Sequence, residues 1–464
     1  MKRFLALALV VILLVAAVPS TTVSAARTIG INVLFNTSVT ADLLADLGNY
    51  GRVRDVLYSI NAVTMQAKES DLAAIQALPY VAAANPDAER TGAPVDTVDA
   101  TDFMDGLSTW DLDAINVTDF DAGRTIGYDG TGVYVAVLDT GLVDTWRMFF
   151  PEERIAEEYA MSFGGGGGER GNVSTQPNKW EHDQDSHGTH VTSTIIGYSL
   201  RGTPINGVAP MATIIPVKVL NQNGSGWSSV VAAGITYIGD LKAGPLADYP
   251  VVINMSLGGP VLDAVEKAAI DYAIEQGVII VASAGNAGEA GMGYPGAYPP
   301  VISVAASGWV GEWRAQPGCL YSWWLCNVPD PTNPDDFITY FYITDFSSRE
   351  LPGQDLDVAA PGSWVVGPYK LNSGNTPSYY FLGGTSMASP HVAGIVALMM
   401  QKNASLVQSD VEYILETSAI PLPADCRWVV DPFIGQFVEI CWGADATGAG
   451  LVTADAALAL TATP

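Results

Sequence analysis

Short, unbroken hydrophobic runs recur along the chain from about residue 110 onward. They are VYVAVLD, TIIPVKVL, VVINMSL, VIIVASAGN and VISVAAS. Such runs are typical of strands that are buried on both faces of a parallel sheet. Helical patterns lie between them, as in SSVVAAGITYIGDLK and LDAVEKAAIDYAIEQ. This alternation predicts an α/β domain over residues 110–464, built on a doubly wound, mainly parallel sheet flanked by helices.

Residues 27–90 show a different pattern, which predicts a small separate domain. IGINVLF, VRDVLYSI, INAVTMQA and YVAAANP indicate strands, while SVTADLLADLG and ESDLAAIQALP indicate helices, the second capped by Ser70. The resulting order, β-α-β-β-α-β, fits a small α+β ferredoxin-like unit. The polar, turn-rich residues 91–109 then predict a linker between the two domains.

The first 26 residues, MKRFLALALVVILLVAAVPSTTVSAA, have a basic start, an apolar run and small residues at the end. This is the pattern of a secretory signal peptide, with cleavage near Ala25 or Ala26. A membrane anchor is the alternative, but the apolar run from Phe4 to Val18 is 15 residues long, which is short for a bilayer span. We therefore expect residues 1–26 to be removed and the protein to be secreted without a membrane anchor.

Composition narrows the function classes. The net charge is −28, which argues against nucleic acid as a partner because phosphate contacts need Lys and Arg. The charge fits a soluble surface, a salty habitat or bound cations, and it does not choose among them. Hydrophobic residues make up 48% of the chain, enough for a large buried core.

Four cysteines lie in the second half of the chain. In an exported protein they suggest two disulfides, and four cysteines allow three pairings. The local pairs Cys319–Cys326 and Cys426–Cys441 are favoured because each closes a short loop. A metal site is the weaker interpretation, since no CxxC spacing occurs.

The stretch FLGGTSMASPHVAG contains a candidate nucleophile, Ser386, after Gly383 and Gly384. The glycines allow a tight strand-to-helix turn and leave room for a substrate backbone. A serine hydroxyl also needs a base, a group that orients the base, and donors for the oxyanion. Asp139 is a candidate orienting group, because it ends a wholly apolar run where a carboxylate is costly to bury without a partner.

The chain has four histidines as candidate bases: His182, His187, His190 and His391. His391 follows Ser386 by five residues, and a packed or hydrogen-bonded role is the better interpretation for it. The other three lie in HDQDSHGTHV, where their i, i+5 and i, i+3 spacings do not match the i, i+4 pair of a zinc metalloprotease helix.

Three motifs together resemble the subtilisin-like serine proteases, the subtilase family. They are VLDTG around Asp139, HGTHV around His187 and GTSMASPHVAG around Ser386, and the resemblance spans roughly residues 110–460. It implies that Ser386 is the nucleophile, His187 the general base and Asp139 its orienting acid, while His190 is structural. It also implies that the side chain of Asn286, in VASAGNAG, donates to the oxyanion beside the Ser386 backbone N–H.

The resemblance further implies that a peptide substrate binds as an added strand between two edge segments. A pocket near GYPGAYP that carries no evident charge predicts cleavage after large apolar residues. The substrate-binding residues expected from the family are Gly224, Ser225, Gly226, Ser256, Leu257, Gly258, Gly259 and Gly293.

The function implied is a secreted, monomeric serine endopeptidase made as a zymogen. Residues 27–90 would be a propeptide that inhibits the enzyme, cut off within residues 91–109. The chemistry needs no cofactor. The family leaves room for a structural Ca²⁺, but GYSLRGTPINGVAP lacks the asparagine-rich calcium loop, so no metal ligands are predicted. A serine esterase would instead carry G-x-S-x-G with Ser before Asp and His, and a catalytically inactive binding module remains the other alternative.

Relative to the family pattern, the chain carries insertions at roughly residues 144–186, 308–344 and 422–443. The second insertion is rich in aromatic residues, and loop packing is the favoured interpretation of it. The third contains the predicted Cys426–Cys441 bridge.

Overall fold

Strands and helices alternate through the part of the chain that the structure describes. The structure is a computed structural model that describes residues 27–100, 110–118, 123–164, 175–313, 328, 338–370 and 377–463. The strands are β1 Thr28–Phe35, β2 Gly51–Leu57, β3 Ala62–Lys68, β4 Val81–Pro86, β5 Glu89–Thr91, β6 Asp96–Asp99, β7 Tyr134–Asp139, β8 Met161–Ser162, β9 Tyr198–Leu200, β10 Thr203–Ile205, β11 Thr213–Lys218, β12 Ser225–Trp227, β13 Val251–Met255, β14 Val278–Ser283, β15 Ile302–Trp309, β16 Phe341–Ile343, β17 Val358–Pro361, β18 Val365–Pro368, β19 Tyr379–Gly383, β20 Asp425–Asp431 and β21 Gln436–Trp442. The helices are α1 Ala41–Leu47, α2 Leu72–Gln76, α3 Trp110–Ala114, α4 His187–Ile196, α5 Ser228–Ala243, α6 Ala264–Glu275, α7 Thr385–Lys402, α8 Gln408–Ser418 and α9 Ala454–Leu460.

The main sheet has the order β16-β15-β14-β13-β7-β11-β8, and β17 also pairs with β15. Its pairs are parallel except β15 with β16, which is antiparallel. The predicted doubly wound, mainly parallel α/β architecture is therefore confirmed. The reason is visible in the sequence, since both faces of each central strand carry apolar side chains and need helices to cover them.

The two faces of this sheet bury different residues of the same strands. Val135 and Val137 pack into a cluster with helices α4 and α7, whereas Ala136 and Leu138 pack into a second cluster with α5 and α6. This alternation follows from the two-residue period of a strand. Because all the parallel strands end at one edge, the side chains that follow them are brought together there.

Residues 28–86 form a separate four-stranded antiparallel sheet in the order β2-β3-β1-β4. With α1 and α2 between the strands, it has the predicted β-α-β-β-α-β order. The predicted Ser70 cap is wrong: a 3₁₀ turn over Glu69–Asp71 precedes α2, and the Ser70 hydroxyl donates to Asp71 Oδ1 instead.

Part of the predicted linker is ordered strand. β5 pairs with β12, and β6 pairs with β19, so residues 89–99 run across the main domain. The sequence GYSLRGTPINGVAP forms the hairpin of β9 and β10, whose turn residues Arg201 and Gly202 both have positive φ. Among the described residues, every helix is either too short or too polar to span a lipid bilayer.

Candidate active site

A buried carboxylate and a buried imidazole meet at the carboxyl edge of the main sheet. Asp139 is the last residue of β7, and His187 is the first residue of α4. His187 Nδ1 lies 2.8 Å from Asp139 Oδ1 and 3.0 Å from Oδ2, and both side chains are fully buried. The Nδ1 proton is therefore donated to the carboxylate, which leaves Nε2 as the basic nitrogen of the neutral ring.

Three further ionisable groups, Asp183, Asp185 and Lys218, surround this pair, and they were not singled out from the sequence. Asp183 accepts hydrogen bonds from the backbone N–H groups of Asp185 and Ser186 at the turn before α4. Lys218, at the end of β11, donates to the backbone oxygen of Thr140 and is buried. The signal was present in the sequence, since Lys218 ends an apolar strand as Asp139 does.

The charges bias the protonation of His187. Burial by itself lowers the pKa of His187, but the charge and hydrogen bond of Asp139 outweigh it, with help from Asp185 and Asp183, so the pKa is raised. Burial also raises the pKa of Asp185 to about 6, where Asp183 and Asp139 add to the effect and His187 opposes it. Burial lowers the pKa of Lys218.

Ser386 is the second residue of α7, after the turn that contains Gly384. At this position the backbone N–H has no partner inside the helix and lies at the positive end of the helix dipole. Asn286 lies beside it: its Oδ1 accepts from the Thr385 backbone N–H at 2.9 Å and from Thr385 Oγ1 at 2.8 Å. With Oδ1 engaged, the amide Nδ2 is left to face the cleft, 3.7 Å from where a Cβ on Gly384 would lie.

The Ser386 hydroxyl donates to the backbone oxygen of Ser256 at 3.2 Å. His187 Nε2 is buried and has no hydrogen-bond partner among the described residues. The His187 ring and the Ser256 oxygen, to which Ser386 donates, both lie next to Gly92. A Cβ on Gly92 would lie 3.3 Å from His187 Cε1 and 2.8 Å from the Ser256 oxygen. The structure thus brings serine and histidine to one site without a hydrogen bond between them, and such bonds often form only in the reacting complex.

A buried network under Ser386 was also not foreseen. Ser256 Oγ donates to the backbone oxygen of Ser386 at 2.8 Å and accepts from Asn254 Nδ2 at 3.1 Å. Ser389 Oγ donates to Asn254 Oδ1 at 2.6 Å. These bonds join the end of β13 to the first turns of α7 and fix the position of Ser386.

The other histidines do not enter the site as bases. His391 is buried between the Met387 backbone oxygen and Asp111 Oδ2, at 2.8 Å and 2.9 Å. His190 Nε2 donates to the Val365 backbone oxygen at 3.1 Å, and burial lowers the pKa of His190 to about 3, so the ring is neutral. His182 is exposed and contacts the Glu181 backbone oxygen.

The predicted substrate-binding residues surround a strand of the chain itself. Arg90 and Thr91 pair with Gly226 and Ser225 of β12, and the Gly92 backbone N–H donates to the Gly224 oxygen at 2.9 Å. On the other side, Thr91 and Gly258 exchange two backbone hydrogen bonds of 2.9 Å. Residues 89–92 are therefore the middle strand between the two predicted edge segments.

The same strand continues past Ser386. The Val95 backbone N–H donates to the Gly383 oxygen at 2.7 Å, and β6 then pairs with β19. Pro94 Cα lies 3.7 Å from where a Cβ on Gly384 would be. Ala93 lies between these two attachments and lines the same cavity as Ser386, so we infer that the bond after it, Ala93–Pro94, is the one presented to the nucleophile.

A cavity of about 580 Å³ opens beside Ala93. Leu257, Gly258, Gly259, Asn286 and Gly293 line it together with Ser386, and Met292 and Leu351 add apolar surface. None of the described residues that line it is charged. Four of the eight predicted substrate-binding residues line this uncharged pocket, whereas Gly224, Ser225 and Gly226 flank the strand of residues 90–92 instead.

Cys426 and Cys441 form a disulfide across the paired strands β20 and β21. Cys319 and Cys326 lie outside the described residues, and their pairing stays a prediction. Asp355, Asp357 and Glu412 offer carboxylate oxygens within 4.8 Å of one another and are a group that could hold a cation. Burial raises the pKa of Asp357 to about 8, so a bound proton can neutralise that carboxyl instead.

Comparisons with known proteins agree with this geometry. The sequence profile of the subtilase family, Peptidase_S8, matches residues 130–452. Thermitase from Thermoactinomyces vulgaris is 32% identical over 291 residues, covering 63% of this chain and 82% of that sequence. Subtilisin DY from Bacillus licheniformis is 32% identical over 300 residues, covering 64% of this chain and 86% of that sequence.

Solved structures give the same result. The crystal structure of fervidolysin from Fervidobacterium pennivorans, described as a keratinolytic enzyme related to subtilisin, matches with a TM-score of 0.65 at 26% identity. The match covers 93% of this chain, which spans 61% of the fervidolysin chain. Sphericase matches with a TM-score of 0.53 at 28% identity, covering 74% of this chain and 97% of that one.

Proposed function

Because the chain belongs to the subtilase family, whose members are serine endopeptidases, we propose that it is a secreted endopeptidase made as a zymogen. Asp139, His187 and Ser386 would carry the chemistry. The observation that carries the proposal is the strand of residues 89–95, which crosses the cleft as a substrate would, with hydrogen bonds on both sides of Ser386. The cleft therefore accepts an extended peptide and presents one peptide bond to the serine.

The reaction begins when Ser386 Oγ turns from the Ser256 oxygen toward His187 Nε2. The ring takes the hydroxyl proton as the oxygen attacks the carbonyl carbon, and Asp139 stabilises the imidazolium that forms. His187 then gives this proton to the leaving nitrogen, which leaves an acyl-serine. A water molecule attacks the ester with the same base, and Ser386 is restored.

The negative charge that develops on the carbonyl oxygen would be held by two donors. One is the backbone N–H of Ser386 at the start of α7, and the other is the Asn286 amide. Thr385 supports this role for Asn286, because it holds Oδ1 through two hydrogen bonds and so orients the amide N–H groups before substrate arrives.

We propose a broad preference for large apolar residues before the cleaved bond. The 580 Å³ cavity beside Ala93 supports this preference, since the side chain of an alanine fills little of it and no described lining residue is charged. A charged side chain buried there would lose its hydration without gaining a partner.

The N-terminal unit would be the inhibitor of the unprocessed enzyme. Its contacts support this role: Asp87 accepts from the Ser229 backbone N–H and from Ser229 Oγ at the start of α5. Asn32 Nδ2 donates to Asp263 Oδ2 at 2.7 Å, and Asp263 caps α6. Removal of this unit would open the cleft, and secretion would follow from the signal peptide predicted in residues 1–26.

The test is to produce the full chain as wild type and as Ser386→Ala, and to follow casein hydrolysis and the intact mass. We expect wild type to shed its N-terminal unit and hydrolyse casein, while the variant keeps the unit. The rate of casein hydrolysis by Ser386→Ala should be about 10⁶-fold below that of wild type, the figure known for loss of the nucleophile in subtilisin.

Ser405→Ala is the control, since Ser405 is exposed and follows the end of α7 that is opposite to Ser386. Equal casein hydrolysis by Ser386→Ala and wild type would refute the assigned nucleophile. A wild-type protein that hydrolyses nothing and ignores a serine-directed phosphonate would instead favour a binding module.

A further inference from the structure

A second cavity, of about 390 Å³, lies where the strand in the cleft continues beyond Ser386. Half of its sixteen lining residues belong to the hairpin of β20 and β21, within the third insertion. The disulfide closes the open end of this hairpin, and Arg427 Nε ties it to the Thr339 backbone oxygen at 3.1 Å. The Phe433 ring packs edge-on against Trp364 at 5.8 Å. The hairpin therefore forms one wall of this cavity beside the cleft. We name the cavity the hairpin cavity.

The chain's own strand delivers a side chain to this cavity. β6 pairs with β19 so that Asp96 is opposite Gly383, and Asp96 lines the cavity. A Cβ on Gly383 would lie 3.7 Å from Asp96 Cβ and 3.6 Å from the Phe346 ring. Counting from the bond that faces Ser386, Asp96 is the third residue after it. A substrate that replaces this strand places its own third residue at the same point.

The cavity combines negative charge with aromatic surface. Asp345 and Asp431 line it from two different segments of the chain, Glu439 adds a third carboxylate, and Phe346 and Phe433 supply rings. None of the described lining residues is basic. Arg349 lies near enough to Asp345 for their charges to interact, although its guanidinium donates hydrogen bonds to the backbone oxygens of Thr344 and Ser347. No described lining residue supplies a counter-charge to Asp431.

We propose that the hairpin cavity is a subsite that selects Arg or Lys at the third residue after the cleaved bond. The inference rests on the proposed endopeptidase function and adds a specificity element to it. A guanidinium can donate hydrogen bonds to the carboxylates of Asp345 and Asp431 while its planar face stacks on an aromatic ring. An acidic residue at this position meets like charge, as Asp96 does in the unprocessed chain.

The test uses quenched fluorescent peptides that share an apolar residue before the cleaved bond and differ only at the third residue after it. We expect kcat/KM for the Arg peptide to exceed that for the Gln peptide by about tenfold, the scale of one partly exposed charge pair with a hydrogen bond. The Asp peptide should be the slowest. Because the attraction is electrostatic, the Arg preference should shrink as salt is added.

Asp431→Asn should lower the Arg-to-Gln ratio toward one, and Asp345→Asn should lower it less because Arg349 already neutralises part of that charge. Asparagine keeps the acceptor that Asp431 offers to the Phe433 backbone N–H, so the turn is retained. Glu153→Gln removes an exposed charge outside the cleft and should leave the ratio unchanged. Equal rates for all three peptides would overturn the subsite while leaving the endopeptidase in place, whereas a wild type that cleaves none of them would overturn the proposed function itself.

Discussion

The strand that crosses the cleft has two halves that are held in different ways. Before the bond at Ser386, Arg90 is fully buried and paired with Glu266 through bonds of 2.5 Å and 3.0 Å. After that bond, the strand relies on backbone pairing with β19 and places Asp96 near Asp345 and Asp431. The first half is therefore anchored by the buried Arg90–Glu266 ion pair. The second half instead places the negative charge of Asp96 beside two other carboxylates.

In the inhibitor role proposed for the N-terminal unit, this difference would let the segment bind the cleft firmly and still be released. The anchored half keeps residues 89–92 in register between β12 and Gly258, where they would exclude substrates in the proposed zymogen. The second half gains little from its side chains, so after a cut it would leave first. The contrast predicts unequal effects of substitutions along a segment of only eleven residues, 89–99.

The largest effect is expected for Arg90→Ala. Removing one partner of a buried ion pair leaves Glu266 with an uncompensated charge, which costs about 3–5 kcal/mol. The docked strand should open more readily, and the amides of Thr91 and Gly92 should lose most of their protection from hydrogen exchange. The measurement uses the Ser386→Ala background, so that no cleavage intervenes.

Arg52→Ala is the matched control, because Arg52 is exposed on the N-terminal unit and should leave the protection at Thr91 unchanged. If Arg90→Ala exchanged as slowly as its parent, backbone pairing alone would hold this half and the contrast between the halves would fail.

The next effect concerns the bond between the halves. Pro94 supplies the nitrogen that must leave, and its ring carbon occupies the position of the N–H hydrogen, where it crowds the approach of His187. We expect the Ala93–Pro94 bond to be cut slowly. Pro94→Ala should speed cleavage there by at least about tenfold, equivalent to ~1.4 kcal/mol in the barrier.

The measurement is the intact mass of the products over time, with the residue at the new N-terminus identified. Pro204→Ala, at the exposed middle residue of β10, controls for the loss of a proline elsewhere. A wild-type protein that quickly yields a mature chain beginning at Pro94 would contradict the expectation.

Much of this architecture could be predicted from the sequence, because apolar runs and three short motifs are local signals. The five buried runs became β7, β11, β13, β14 and β15, and the residues of the predicted substrate segments surround one strand. Asp139 and His187 are 48 residues apart yet hydrogen-bonded, since the ends of a strand and the start of the following helix lie at one sheet edge.

What could not be predicted depends on pairing between distant segments. Nothing in the composition of residues 91–109 distinguishes a free linker from a strand, because β6 is stabilised by backbone bonds to β19, almost 300 residues later. The hairpin cavity is similar, since Asp431 and Asp345 are brought together only by the fold. Ser70 failed as a cap because a 3₁₀ turn lies where the pattern predicts the first turn of the helix.

The smallest effect is expected at Asp96. Burial, followed by the charges of Asp345 and Asp431, raises the pKa of Asp96 above its ordinary value near 3.8 in the docked strand. The docked state therefore binds a proton more tightly than the released state. Docking is strongest below the ordinary pKa, and it weakens as the pH rises to the raised value, beyond which it stays constant.

Asp96→Asn removes this penalty and should tighten docking of residues 95–99 by about two- to threefold near neutral pH, the scale of a partly exposed charge interaction. It should also remove most of the acid-to-neutral change in their hydrogen-exchange protection factors. Asp99→Asn is the control on the same strand, since Asp99 is exposed beside Tyr380 rather than in the hairpin cavity. If the two variants behaved alike, the repulsion would belong to the overall negative surface, and the second half of the strand would have no local reason to leave first.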